Sequence, residues 1–251
     1  TPFPRTLPMT LYDDLDVSTM DEMPAGRKPV RTVLRSEKRR GEVYAFVKDQ
    51  LEQRRQAYVV YPLVEESEKV DLKDAVSGYE KLRSQFADHT VGLVHGQMKS
   101  DDKDATMRRF KRGEIDLLVS TTVIEVGVDV ANATLMIIEH AERFGLSQLH
   151  QLRGRVGRSD IQSYCILMAG YKRSAEAKER LQAMVDTNDG FEISERDLQI
   201  RGAGDFFGTR QSGLPDLKIA DITEDEDLIA EARTAAQELI NRDPDLTAEE
   251  H

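Results

Sequence analysis

The chain has one cysteine, Cys165, and so no internal disulfide; a lone thiol fits a reducing compartment. It sits in the apolar run Tyr164-Cys165-Ile166-Leu167-Met168, where plain core is the expectation rather than a reactive thiol. Long hydrophobic runs are missing too. The longest, such as Tyr58–Tyr61 and Leu135–Ile138, are strand-sized, so no membrane-spanning helix is expected. No basic-apolar leader opens the chain, and a signal peptide is not expected. HExxH, paired cysteines and CxxC are all lacking, which leaves metal catalysis without support. A Gly-x-Ser-x-Gly elbow is lacking as well, and with it the case for Ser-His-Asp chemistry. There is no internal repeat and no low-complexity tract.

What is present suits one α/β domain with an appendage: 251 residues, 39% apolar and 32% charged. The net charge of −11 would ordinarily argue against nucleic acid, but its distribution weakens that inference. Residues 216–251 hold 12 acidic and 3 basic side chains, which leaves 34 acidic against 32 basic in residues 1–215. The acidity belongs to the tail. A positively lined groove on the nearly neutral body is compatible with the total, because local fields matter more than the sum.

The opening Thr1-Pro2-Phe3-Pro4-Arg5-Thr6 reads as the middle of something, and Pro24, Gly26 and Pro29 mark a connecting arm. Regular alternation follows. Strands are expected at Val30–Leu34, Ala57–Val64, Val91–Val94, Ile115–Ser120, Leu135–Ile138 and Ser163–Ala169. Helices are expected at Lys38–Arg55, with Val43, Phe46/Val47 and Leu51 on one face, and at Asp71–Phe86, with a stripe of Leu72, Val76, Tyr79, Leu82 and Phe86. A third is capped by Ser100 and stops at Gly113, and a short one covers Ser147–Arg153. Strands alternating with helices imply a doubly wound parallel sheet. Beyond Gly170 the alternation ends: Ala175–Val185 is helical, Phe191–Phe207 is charged and Gly-punctuated, and Asp227–Asn241 is amphipathic. The division is therefore 1–29 (arm), 30–170 (α/β body) and 171–251 (smaller, mostly helical unit).

Three segments carry chemistry. In Gln148-Leu149-His150-Gln151-Leu152-Arg153-Gly154-Arg155-Val156-Gly157-Arg158, glycines allow close backbone approach, and Arg155 and Arg158 offer planar, permanently charged forks suited to phosphate oxygens. The alternative is a solvated basic turn. In Ser120-Thr121-Thr122-Val123-Ile124-Glu125-Val126-Gly127-Val128-Asp129, a buried strand delivers hydroxyls, then Gly127 and Asp129, at its carboxyl end. Ligands bind there in open α/β sheets, and capping is the bland alternative. Val94-His95-Gly96-Gln97 ends another strand and leads into a helix whose amides suit an anion; a structural histidine is the alternative.

In this order and spacing the segments resemble the second RecA-like domain of superfamily 2 helicases. Gln151-x-x-Gly154-Arg155-x-x-Arg158 matches that superfamily's arginine-finger motif, and Thr121 through Asp129 matches the motif before it. Thr1-Pro2-x-Pro4-Arg5-Thr6 looks like the tail of the motif ending the first RecA-like domain. The resemblance narrows to the RecG family of DNA helicases through Asp14-Leu15-Asp16, Asp21-Glu22-x-Pro24-x-Gly26-Arg27, Glu65-Glu66-Ser67, Val91-Gly92-Leu93-Val94-His95-Gly96 and Asn188-Asp189-Gly190-Phe191. Asp197-Leu198-x-Ile200-Arg201-Gly202 and Gly208-Thr209-Arg210-Gln211 resemble the translocation motif shared by RecG and Mfd. Phe3 stands where Ile is usual, and Ala131 departs from the usual Asp-Val-Pro-Asn.

The resemblance implies ATP-driven translocation on double-stranded DNA, reversal of stalled forks and migration of Holliday junctions. It implies ATP and Mg²⁺ held mainly by a first helicase domain, since no Gly-x-x-x-x-Gly-Lys-Ser/Thr and no Asp-Glu-x-His/Gln box occurs here. By the same resemblance Arg155, Arg158 and Gln151 act on the transferred phosphate, Gly127, Asp129 and Gly154 border the nucleotide, and His95, Gly96, Thr121 and Thr122 hold DNA. Arg5, Arg201, Arg210 and Gln211 couple hydrolysis to movement. Branched DNA and a single-stranded DNA-binding protein are the implied partners of a monomer in a bacterial cytoplasm, at the nucleoid. Two other classes stay open: an Mfd-like transcription-repair coupling translocase, and a non-catalytic α/β nucleic-acid-binding module.

Overall fold

The computed structural model describes residues 28–63, 68–121, 130–171, 173–201 and 226–243. Six strands build one sheet: β1 (Arg31–Ser36), β2 (Gln56–Tyr61), β3 (Val91–Val94), β4 (Leu117–Thr121), β5 (Ala133–Ile138) and β6 (Tyr164–Ala169). Their order is β1-β6-β5-β2-β4-β3, and every pairing is parallel. The helices are α1 (Arg40–Glu52), α2 (Glu68–Gln85), α3 (Ser100–Lys111), α4 (Leu146–Arg153), α5 (Ala175–Asp186), α6 (Gly190–Arg201) and α7 (Glu226–Arg242).

The period-two alternation of strand side chains divides the core between the two faces. On one face Ala57, Val59 and Tyr61 of β2 pack with Val43, Val47 and Leu51 of α1 and with Ala75 and Leu82 of α2. On the other, Tyr58 and Val60 pack with Met107 and Phe110 of α3, Leu149 and Leu152 of α4, and Leu181 and Met184 of α5. Both faces are covered, as an all-parallel sheet requires, and the central strands β2, β4 and β5 are buried throughout. The doubly wound expectation holds.

Three expectations need correction. Of the expected α2 stripe, Leu82 and Phe86 are buried and Tyr79 packs against the core, but Leu72 is only half-buried and Val76 points outward. The inner face of α2 starts instead with Asp71, Ala75 and Gly78 before reaching Leu82, and Val76 stays 38% exposed. The face turned by one residue because Asp71 forms an ion pair with Arg143, and because Gly78 lies where a Cβ would strike the Tyr61 hydroxyl. Ser100 does not cap α3: it already belongs to the helix, Lys99 occupies the cap position without a side-chain hydrogen bond, and Asp101 and Asp102 face the helix dipole in the first turn. Part of the segment 191–207 is regular helix, with Ile193 and Leu198 buried in α6.

Candidate nucleotide and nucleic-acid sites

The carboxyl ends of all six strands lie along one edge of the sheet. At that edge Val94 of β3 stands opposite Ser120 of β4, so the next residues, His95 and Thr121, end neighbouring strands. Each carries a buried polar atom with no hydrogen-bond partner among the described residues, Nδ1 of His95 and Oγ1 of Thr121. Buried polar groups are nearly always paired, so both atoms are free to take a hydrogen bond from outside the described residues. Burial, with the Lys103 charge behind it, holds the His95 imidazole below its ordinary value, which favours the neutral ring. Lys103 Nζ donates to the Gly96 carbonyl at 2.7 Å and fixes the turn after β3.

The arginine turn lies at the opposite edge. Helix α4 runs back across the sheet, ends at Gly154, and closes in a tight turn through Arg155 N–H to Leu152 O (3.0 Å) and Val156 N–H to Arg153 O (3.2 Å). Val156 is fully buried and anchors the turn. Gly157 has φ +75°, and a Cβ there would come within 2.6 Å of Val30, so backbone conformation and space both demand glycine. Arg158 Nε donates to the Gly154 carbonyl at 3.3 Å. Arg155 is half-buried, and among the described residues no carboxylate pairs with it; Gln151 lies one turn back on α4.

The sequence did not assign Arg153, the first arginine of the run. It is 3% exposed, and its Nη1 donates to the carbonyls of Met184 (2.9 Å) and Thr187 (2.8 Å) at the end of α5. A helix C-terminus suits a cation, and these carbonyls stand in for a carboxylate. Burial lowers its pKa. Its Nη2 lies 3.1 Å from His150 Nδ1, and burial followed by the Arg153 charge pushes His150 down to about 4. Burial also pushes the Cys165 thiol up to about 12, so it is core, as its sequence context suggests. Ser147 Oγ donates to Asp197 Oδ2 at 3.0 Å and joins α4 to α6.

The structure therefore keeps the two predicted groups apart: His95, Gly96 and Thr121 at the carboxyl edge, Gln151, Gly154, Arg155 and Arg158 at the amino edge. Arg5, Thr122, Gly127, Asp129, Arg210 and Gln211 lie outside the described residues, as does the Arg201 side chain.

The helicase conserved C-terminal domain family matches residues 41–160, and the C-terminal part of domain 3 of the ATP-dependent DNA helicase RecG matches residues 187–251. RecG of Synechocystis sp. is 50% identical over 249 residues, 99% of this chain and 30% of its own length. RecG of Bacillus subtilis is 52% identical over 244 residues, 97% of this chain and 36% of its own length. A RecG structure bound to a three-way DNA junction superposes with a TM-score of 0.72 at 46% identity, covering 91% of this chain and 29% of that one. The chain belongs to the RecG family. It spans about a third of the length of these relatives. The yeast DEAD-box splicing factor Prp28, at 13% identity, a TM-score of 0.52 and with 77% of this chain and 40% of its own covered, shares the RecA-like fold.

Proposed function

We propose that this chain is the second motor half of an ATP-dependent double-stranded DNA translocase acting on branched DNA. The observation that carries the reading is Arg155: a half-buried guanidinium, unmatched by any described carboxylate, held on a turn that only glycine permits. A charge fixed in this way suits the developing negative charge of phosphoryl transfer, where arginine fingers in other systems contribute about 10³–10⁵ in rate. Arg155 and Arg158 face the γ-phosphate, Gln151 orients them, and Gly154 lets the backbone approach; Gly127 and Asp129 border the nucleotide. By the family resemblance Mg²⁺ is assigned mainly to the first helicase domain, which would supply the phosphate loop that this sequence lacks.

The Thr121 hydroxyl and His95 imidazole, without partners among the described residues, take DNA phosphates together with Gly96 and Thr122, which gives affinity without sequence choice. In this reading residues 30–170 form the motor domain, 1–29 the arm, and 171–251 the unit through which Arg5, Arg201, Arg210 and Gln211 convert domain closure into displacement. The complete protein is proposed to act as a monomer at stalled forks and Holliday junctions in the bacterial nucleoid, in contact with a single-stranded DNA-binding protein.

The test is Arg155→Ala in the complete protein. DNA-stimulated ATP hydrolysis is expected to fall on the order of 10³-fold with binding of forked DNA nearly intact. Lost fork binding with normal hydrolysis would reverse the assignment.

A further inference from the structure

The sheet order places a switch point between β2 and β5. The connection leaving β2 runs to α2 on one face, and that leaving β5 runs to α4 on the other. In open α/β sheets such a crevice is where ligands bind. Here side chains of the chain itself fill it. Glu139, the residue after β5, is 2% exposed, and its amide donates to Val60 O of β2 at 2.8 Å. Both its carboxylate oxygens accept from Arg40 of α1, at 2.5 and 2.8 Å. Four residues on, Arg143 grips Asp71 of α2 with two hydrogen bonds, at 2.7 and 3.2 Å, and Asp71 is 1% exposed. Between them His140 has φ +50°, a conformation that a non-glycine residue keeps only where its surroundings dictate it. Glu142 accepts from the Gly170 amide beyond β6 at 3.2 Å.

The six-residue stretch 139–144 is thus fastened to α1, α2 and the end of β6 immediately before α4 begins. Helix α4, about 12 Å long at 1.5 Å per residue, then spans the sheet to the arginine turn, where Arg153 locks its far end onto α5. Its two ends are held by different elements.

We infer that Asp71–Arg143 and Arg40–Glu139 are positioning pairs that seat the near end of α4 and thereby aim Arg155 and Arg158 at the nucleotide. This rests on the finger assignment made above. In each pair the carboxylate is buried and the guanidinium still reaches water, 28% exposed in Arg40 and 34% in Arg143; ion pairs open to solvent add little net stability, so stability alone is a weak reason for two of them in one crevice. What a two-pronged Arg–carboxylate contact supplies is fixed geometry. A misplacement of about 1 Å at a reacting group lowers rates by up to about 10²-fold.

The experiment uses the complete protein with forked DNA and measures kcat, KM for ATP, fork affinity and melting temperature. Arg143→Lys keeps the charge and removes the fork. It is expected to lower kcat about 10- to 100-fold while leaving KM and fork affinity within about twofold. Asp71→Asn is expected to do the same with a larger fall in melting temperature. Each substitution is then repeated in an Arg155→Ala, Arg158→Ala background. There a positioning residue has nothing left to aim, and no further fall in kcat is expected. An equal proportional fall in both backgrounds, or unchanged kcat in Arg143→Lys, would overturn the inference. If Asp71→Asn does not fold, Arg143→Lys decides alone. If Arg155→Ala leaves hydrolysis intact, the finger assignment fails first, and that outcome is distinct from a failure of the positioning pairs.

Discussion

Gly157 and His150 show how much of the arginine turn depends on single residues. Gly157→Ala combines a left-handed backbone with a Cβ driven into Val30. Together these are expected to destabilise by about 2–4 kcal/mol, read from chemical denaturation. His150 gives a pH dependence of known sign. Its pKa is about 4 in the fold against about 6.5 in the unfolded chain. The unfolded state therefore binds more protons between those values. The contribution is complete above pH 6.5 and is lost as pH falls toward 4, amounting to no more than about 3 kcal/mol. Denaturation at pH 7 and 4.5 should show a smaller difference for His150→Gln than for the parent chain; equal differences would remove His150 as the titrating group. The sequence made Arg155 and Arg158 conspicuous but gave Arg153 no role, because the partners of Arg153 are backbone carbonyls at the end of α5, which carry no residue signature.

Among the elements, the strands were the most legible, since β2, β4 and β5 fall on short, mainly apolar runs whose length and alternation with helical segments mark them as buried parallel strands. Helix α2 was found, with Tyr79, Leu82 and Phe86 turned inward as expected, but the first part of its face was misread. Apolar periodicity registers Val76 and passes over Asp71 and Gly78, although an acid held by a guanidinium reaching in from the surface and a glycine under a tyrosine ring both belong inside. The corrected face makes a paired prediction. Val76→Lys should change stability by no more than about 0.5 kcal/mol. Ala75→Leu, one position earlier, should destabilise by about 1–3 kcal/mol through overpacking. Urea midpoints of the two variants decide it, and a costlier Val76→Lys would restore the original face. Helix α6 was hidden within 191–207 for a similar reason: its buried set includes Ser194 and Asp197 beside Ile193 and Leu198.

At the scale of the molecule, nucleotide chemistry and DNA contact are assigned to opposite edges of one sheet, and neither edge contains a phosphate loop. The chain alone is therefore expected to hydrolyse no ATP and to bind nucleotide weakly by calorimetry; turnover by the pure chain that survives Arg155→Ala would contradict this. The sheet order has a further consequence, for how the protein is made. Strand β1 pairs with β6 alone, the first strand with the last, Arg31 opposite Tyr164. Of these six strands β1 is made first and pairs only with the one made last, so it waits while the four between them are translated. Its seat exists only once Tyr164–Ala169 has emerged, so within this sheet the first-made strand is among the last to be placed.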